Sequence, residues 1–321
     1  MVTTKILKNN ISEDLKALNQ LIERSLECPN SFMQEIIMMY LKSKGKQIRP
    51  ILVILSAKTF GSVNENVINA AAAIELLHNA SLIHDDVVDD SKKRRGLPTI
   101  NSIWDNSVAV LVGDFFVSNA LQCAIKVGDM RIINSISELS KELALGEINQ
   151  INNARTHNID EDIYFDIINK KTASLFMSCI EVGGYAVNAT TEQIAPLKHF
   201  AELLGLCFQI KDDIFDYFEE KNIGKPTGND LREGKITLPL IYALTNNNGE
   251  ENDAMIQLTR KDELTTDEIA TLINYAKDKG GIEYSYQKMQ ELRNQAINII
   301  AEYKNNEAFI NLLDYIIARD F

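Results

Sequence analysis

No proline interrupts the chain between Pro98 and Pro196. That gap constrains the fold most, because only elements free of proline can run through it without a break. Apolar residues recur three or four positions apart at Leu15, Leu18, Leu21 and Ile22, and again at Ile163, Ile167, Ile168, Leu175 and Phe176. This is the period of one helix face, and strand-like alternation is scarce. With 45% hydrophobic residues, 24% charged residues and 15 glycines in 321 positions, the chain can bury a large core and keep long helices intact. The expectation is an all-α fold, one domain over 1–321 with a central helix bundle at about 11–245 and a C-terminal helical cap at about 250–321.

Helix starts are marked by Thr190 to Gln193, Thr265 to Glu268 and, with an Asn cap, Asn158 to Glu161. Clusters of Gly, Pro, Asn, Lys and Glu place loops at 28–31, 43–50, 91–99, 153–160, 220–237 and 245–252. A net charge of -12 disfavours nucleic acid, which needs a basic face to displace counterions. Cys28, Cys123, Cys179 and Cys207 are widely spaced and form no CxxC pair, which fits reduced thiols rather than a disulfide framework or a zinc site. The N-terminal stretch has no apolar signal segment, and no run of 18 apolar residues occurs. A soluble, cytoplasmic protein without a membrane span is expected.

The chemistry concentrates in "LIHDDVVDDSKKRRG", residues 82 to 96. One such charge run reads as a solvated helix end. A second copy changes that reading: Asp85, Asp86 and Asp89 form DDVVD, and Asp212, Asp213 and Asp216 form DDIFD, each after an apolar-periodic segment. Two chance copies are expected in only about a few per thousand chains of this length. Like charges at helical spacing repel, so the clusters gain stability only with a cation. Magnesium takes one or two carboxylates, keeps waters and completes its octahedron with phosphate oxygens, which suits two acidic helices gripping a diphosphate. The cations Lys46 and Arg49 in "GKQIRP", Arg94 and Arg95 after the first cluster, and Lys225 and Lys235 in "GKPTGNDLREGKITLP" would hold phosphate oxygens.

With these motifs in this order, the sequence resembles the trans-type polyprenyl diphosphate synthases, long-chain heptaprenyl and octaprenyl members among them, from about Lys44 to about Leu240, and it ends in a similar "LLDYIIARDF". The resemblance implies an isoprenoid synthase helix bundle around a central cavity, a homodimer, and about three magnesium ions with substrate bound. It also implies head-to-tail condensation of isopentenyl diphosphate onto an allylic diphosphate. Carried over by motif position, the six aspartates would coordinate magnesium, and Arg94, Lys171, Lys225 and Lys235 would contact the allylic diphosphate. Gly45, Lys46 and Arg49 match the isopentenyl diphosphate motif, to which His78 and Arg95 would add donors; Lys171, Thr172 and Gln209 match residues near the developing carbocation. Lys44 stands where the family often has a second glycine.

Ionisation of the allylic C–O bond, attack by the isopentenyl double bond and loss of a proton, expected to go to the released pyrophosphate, require no side-chain nucleophile. Water would quench the cation, so closure of the 220–237 loop over the diphosphate is expected. The residues four and five before Asp85 are Ser81 and Ala80, about one helical turn deeper. Small residues there imply, by the resemblance, an open tunnel and a product of about C30 to C50, with C35 or C40 expected, for a quinone side chain handled by membrane enzymes. Close helix packing would favour the same small residues. The rivals are a short-chain farnesyl or geranylgeranyl diphosphate synthase, a class I terpene cyclase, which should lack DDIFD and "GKQIRP", and a non-catalytic partner subunit, which should have lost aspartates.

Overall fold

The computed structural model describes residues 11–42, 45, 47–218, 227–303 and 305–319. Lys44, Lys46, Lys225 and the 220–226 part of the expected closing loop lie outside them. The chain is all-α, in the order α1 (Ser12–Ser25), α2 (Ser31–Tyr40), α3 (Ile48–Phe60), α4 (Glu65–Val88), α5 (Ile100–Ile103), α6 (Asn106–Val127), α7 (Met130–Thr156) and α8 (Glu161–Ile168). A π-helical turn (Asn169–Ala173) leads into α9 (Ser174–Tyr185), followed by α10 (Thr191–Phe215), α11 (Asn229–Arg232), α12 (Leu238–Thr245), α13 (Glu250–Thr259), α14 (Thr266–Asp278), α15 (Gly281–Ile300) and α16 (Asn306–Ala318). Among the described residues the only strands are β1 (Lys93–Arg94) and β2 (Leu97–Pro98), a two-residue hairpin after α4.

The helices form two compact units of discontinuous sequence: 1–141 with 175–199 and 302–309, and 142–174 with 200–301 and 310–321. In the first unit, α4 is the core helix. Ala70 to Ile74 and Leu76 are fully buried, as expected of a helix apolar on all sides, and Asn64 caps its start by accepting from the Val67 amide at 3.1 Å. Helix α6 lies against it closely enough that a Cβ on Gly113 would come 2.2 Å from the His84 ring. In the second unit, Leu238, Leu240, Ile241 and Leu244 bury α12, and Gly281 lets α15 meet it, since a Cβ there would fall 2.0 Å from the Pro239 carbonyl oxygen.

Two of the three expected helix starts form as reciprocal capping boxes, Thr190 with Gln193 and Thr265 with Glu268. The third shifts: Asp160, not Asn158, caps α8, its Oδ1 accepting from the amides of Asp162 (2.8 Å) and Ile163 (3.1 Å). The left-handed turn at His157 (φ 49°) ends the preceding segment and leaves the carboxylate nearer the helix start. All the expected loops except 91–99 are partly helical: Ser31 opens α2, α11 lies inside 220–237, and Thr245 closes α12 and Glu250 opens α13 within 245–252. Residues 48–50 begin α3, where Pro50 sits in the first turn and needs no amide partner, and 153–156 finish α7 as a polar, solvent-facing end.

Candidate active site

In the first unit the DDVVD aspartates end α4. Asp89 is its C-cap and donates its amide to the Asp85 carbonyl at 2.8 Å, so the two lie one turn apart on one face as expected. Asp86 is buried, and the Arg94 Nε donates to its Oδ1 at 2.8 Å. Burial raises the Asp86 pKa, and the Arg94 charge and hydrogen bond oppose that rise. The hairpin that delivers Arg94 turns through Arg95 (φ 51°) and Gly96 (φ 78°), the left-handed pair that a two-residue hairpin loop uses.

That turn aims Arg95 at the loop before α3: a Cβ on Gly45 would meet both terminal nitrogens of Arg95 at 2.9 Å. Two residues singled out for isopentenyl diphosphate are thus in contact, and they line a cavity of about 60 Å³ with Gln47, Glu75 and Asn79. Arg49 lies over the Phe176 ring, 5.7 Å from its centroid. His78 is buried, and its pKa is pushed well below the usual value by burial first and then by Arg49, Arg95 and Arg94. It therefore stays neutral beside three arginine cations. Glu75, which sequence reading passed over, is a carboxyl raised by burial and opposed by Arg49 and Arg95.

In the second unit, the π turn carries Lys171 and Thr172. Such turns recur at functional sites because the extra residue re-aims side chains. Two glycines admit it: a Cβ on Gly146 would stand 2.7 Å from the Lys171 amide nitrogen, and one on Gly205 would stand 2.5 Å from the Ala173 Cα. Lys171, Thr172, Gln209, Asp213 and Lys235 line one cavity of about 120 Å³. Thr172 Oγ1 donates to Gln209 Oε1 at 2.6 Å, Gln209 Nε2 donates to Asp213 Oδ1 at 2.7 Å, and the Tyr164 hydroxyl donates to Asp213 Oδ2 at 2.6 Å. With its oxygen facing the ammonium groups, Gln150 accepts from Lys235 (3.0 Å) and Lys171 (3.2 Å), which brings two expected phosphate contacts together. Lys171 also pairs with Glu147 at 2.5 Å.

Burial pushes Asp213 up to about 7; the Tyr164 and Gln209 hydrogen bonds oppose the rise, while Asp212 and Asp216 add to it. Asp230, lining the same cavity, is raised well above its usual value by burial and then by Asp213 and Asp216, with Lys235 opposing. Asp216 is held differently, its two oxygens accepting from the amides of Asn229 and Asp230 at 3.0 Å each. Asp212 pairs with Arg319. Among the described residues no three His, Cys, Asp or Glu side chains converge into a ready-made metal cage. Magnesium needs none, since it uses hard carboxylate oxygens alongside waters and phosphate oxygens, and a desolvated carboxyl such as Asp213 gains from a nearby cation. The donor set therefore fits.

Of the chain-length pair, Ala80 is fully buried and Ser81 only partly so. The Ser81 hydroxyl is satisfied on its own helix by the His78 carbonyl at 2.9 Å. Tyr164, Glu147, Gln150 and Asp230 were missed in the sequence. Only Asp230 carried a signal there, as an acid inside the charge-rich "GNDLREGK" segment.

The sequence model described as polyprenyl synthetase matches residues 30–276, and the chain belongs to that family. It is 36% identical, over 94% of each chain, to an all-trans-nonaprenyl-diphosphate synthase (geranyl-diphosphate specific) of Rhodobacter capsulatus. It is 34% identical, over 99% of each, to the heptaprenyl diphosphate synthase component 2 of Geobacillus stearothermophilus. Its fold matches the crystal structure of a geranylgeranyl pyrophosphate synthase from Bacteroides thetaiotaomicron with a TM-score of 0.84, at 37% identity over 98% of each chain.

Proposed function

We propose that this transferase condenses isopentenyl diphosphate head-to-tail with an allylic diphosphate and builds an all-trans chain of about C30 to C50, with C35 or C40 expected. The observation that carries the reading is the second-unit cavity, where lysines for a phosphate, a polar Thr172–Gln209 pair and a desolvated Asp213 meet. Asp85, Asp86, Asp89, Asp212, Asp213 and Asp216 would hold magnesium, which when bound would neutralise the leaving diphosphate. Lys171 and Lys235, oriented through Gln150, add point charge to the same group, and Arg94 is assigned to it by its motif position.

Gly45, Arg49, His78 and Arg95 bind isopentenyl diphosphate. His78 stays neutral, so its ring contributes hydrogen bonding while the arginines contribute charge. Gln209, pinned by Asp213, keeps its amide oxygen on Thr172, and these oxygens present partial negative charge to a carbocation without supplying a nucleophile. A protein of this kind works as a homodimer: Leu111, Leu121 and Ile125 expose an apolar stripe on α6, of the kind a second copy covers. The four cysteines are free thiols, which suits the cytoplasm, from which the product passes to membrane enzymes that attach quinone side chains.

The test is pyrophosphate release measured with isopentenyl and farnesyl diphosphates, singly and together. Release that needs both substrates and magnesium supports the reading; release from farnesyl diphosphate alone would favour a cyclase. The likeness to a geranylgeranyl pyrophosphate synthase favours a second reading, a short C20 product, which product length separates from the first.

A further inference from the structure

We propose that Arg319 restrains Asp212 from binding magnesium until a diphosphate is present; this rests on the function proposed above. The three aspartates of the second cluster are held in different ways. Asp213 accepts from the neutral Tyr164 hydroxyl and Gln209 amide, and Asp216 accepts from two backbone amides. Asp212, on the same helix end, instead meets a permanent cation, because a guanidinium does not deprotonate in proteins. Arg319 donates from one terminal nitrogen to Asp212 Oδ1 and to the Phe208 carbonyl oxygen, the latter at 3.1 Å.

The anchor of this arginine is aromatic. Its side chain is 7% exposed and its guanidinium lies over the Phe208 ring at 4.2 Å and the Phe215 ring at 5.4 Å. The Phe215 ring also takes the Lys211 ammonium at 4.9 Å, which Tyr286 shares at 5.0 Å. Two cations are therefore fixed beside this cluster by aromatic faces. A divalent ion arriving at Asp212 alone is repelled by the fixed charge, whereas a diphosphate arriving with it supplies the negative charge that offsets both. Metal binding at this cluster thereby follows diphosphate binding.

Binding of Mn²⁺ as a magnesium substitute, followed by electron paramagnetic resonance with and without inorganic pyrophosphate, reads this directly without turnover. Wild type should bind Mn²⁺ weakly alone and more tightly with pyrophosphate. Arg319→Gln, which keeps a donor but loses the charge, should bind Mn²⁺ alone about tenfold more tightly, ~1.4 kcal/mol, as a like charge about 6 Å away in a water-like medium implies. Arg319→Lys should stay near wild type, and Arg319→Met, which keeps the stem against Phe208, stands in if the Gln variant does not fold. Equal or weaker Mn²⁺ binding by the neutral variants overturns the inference. Asp213→Ala separates the two layers: Mn²⁺ binding unchanged by that substitution, with or without pyrophosphate, overturns the metal-site reading itself.

Discussion

Replacing Asp213 by Asn should stabilise the chelator-treated protein while abolishing its turnover. Asp213 is buried at 4% exposure, and burial lifts its pKa from the usual 3.8 to about 7. A carboxyl with a raised folded-state pKa contributes its stability below the unfolded value and loses it as pH rises through the folded one. The cost of ionising Asp213 therefore grows from about pH 4 to about pH 7 and then levels off. Roughly three pKa units correspond to ~4 kcal/mol at most, and relaxation together with the disturbed Tyr164 and Gln209 hydrogen bonds brings the expected gain for Asn to about 1–3 kcal/mol at pH 8. Urea unfolding of both proteins at pH 8 and pH 5 reads it. The advantage of Asn should shrink at pH 5, and a variant that is less stable at pH 8, or whose advantage ignores pH, would refute the reasoning.

Ser81→Phe should shorten the product to about C15 or C20, whereas Ala80→Phe, at a fully buried position, should mainly overpack the helix interface and cost about 1–3 kcal/mol; product sizing and thermal unfolding separate the two. Gly205→Ala should destabilise by about 1–3 kcal/mol and slow turnover, against the gain that helix propensity alone would give. The reason is that its Cβ would stand 2.5 Å from the Ala173 backbone in the π turn. Urea midpoints and steady-state kinetics check it, and an unperturbed variant would show that the turn tolerates displacement.

The long helices α4 and α10 were legible because periodicity accumulates over many residues, and the aspartate clusters were legible because they repeat. The π turn at 169–173 was not, since nothing in its sequence NKKTA sets it apart from an ordinary helical turn and only the fit against Gly146 and Gly205 distinguishes it. Single residues recruited from afar were equally silent. Tyr164 is 49 positions from Asp213 and Arg319 is 107 from Asp212, and no spacing rule links them. Asp160 displaced Asn158 as the cap because two residues with similar capping chemistry stood close together, and the backbone turn at His157 decided between them.

The central claim is that this chain elongates an allylic diphosphate to a long product. Incubating the purified protein with magnesium, labelled isopentenyl diphosphate and farnesyl diphosphate, then sizing the dephosphorylated products, tests it most directly. The account predicts a dominant product of C35 or C40 that vanishes with chelator. Products that stop at C20 would contradict the long-chain assignment, and no elongation at all would contradict the reaction.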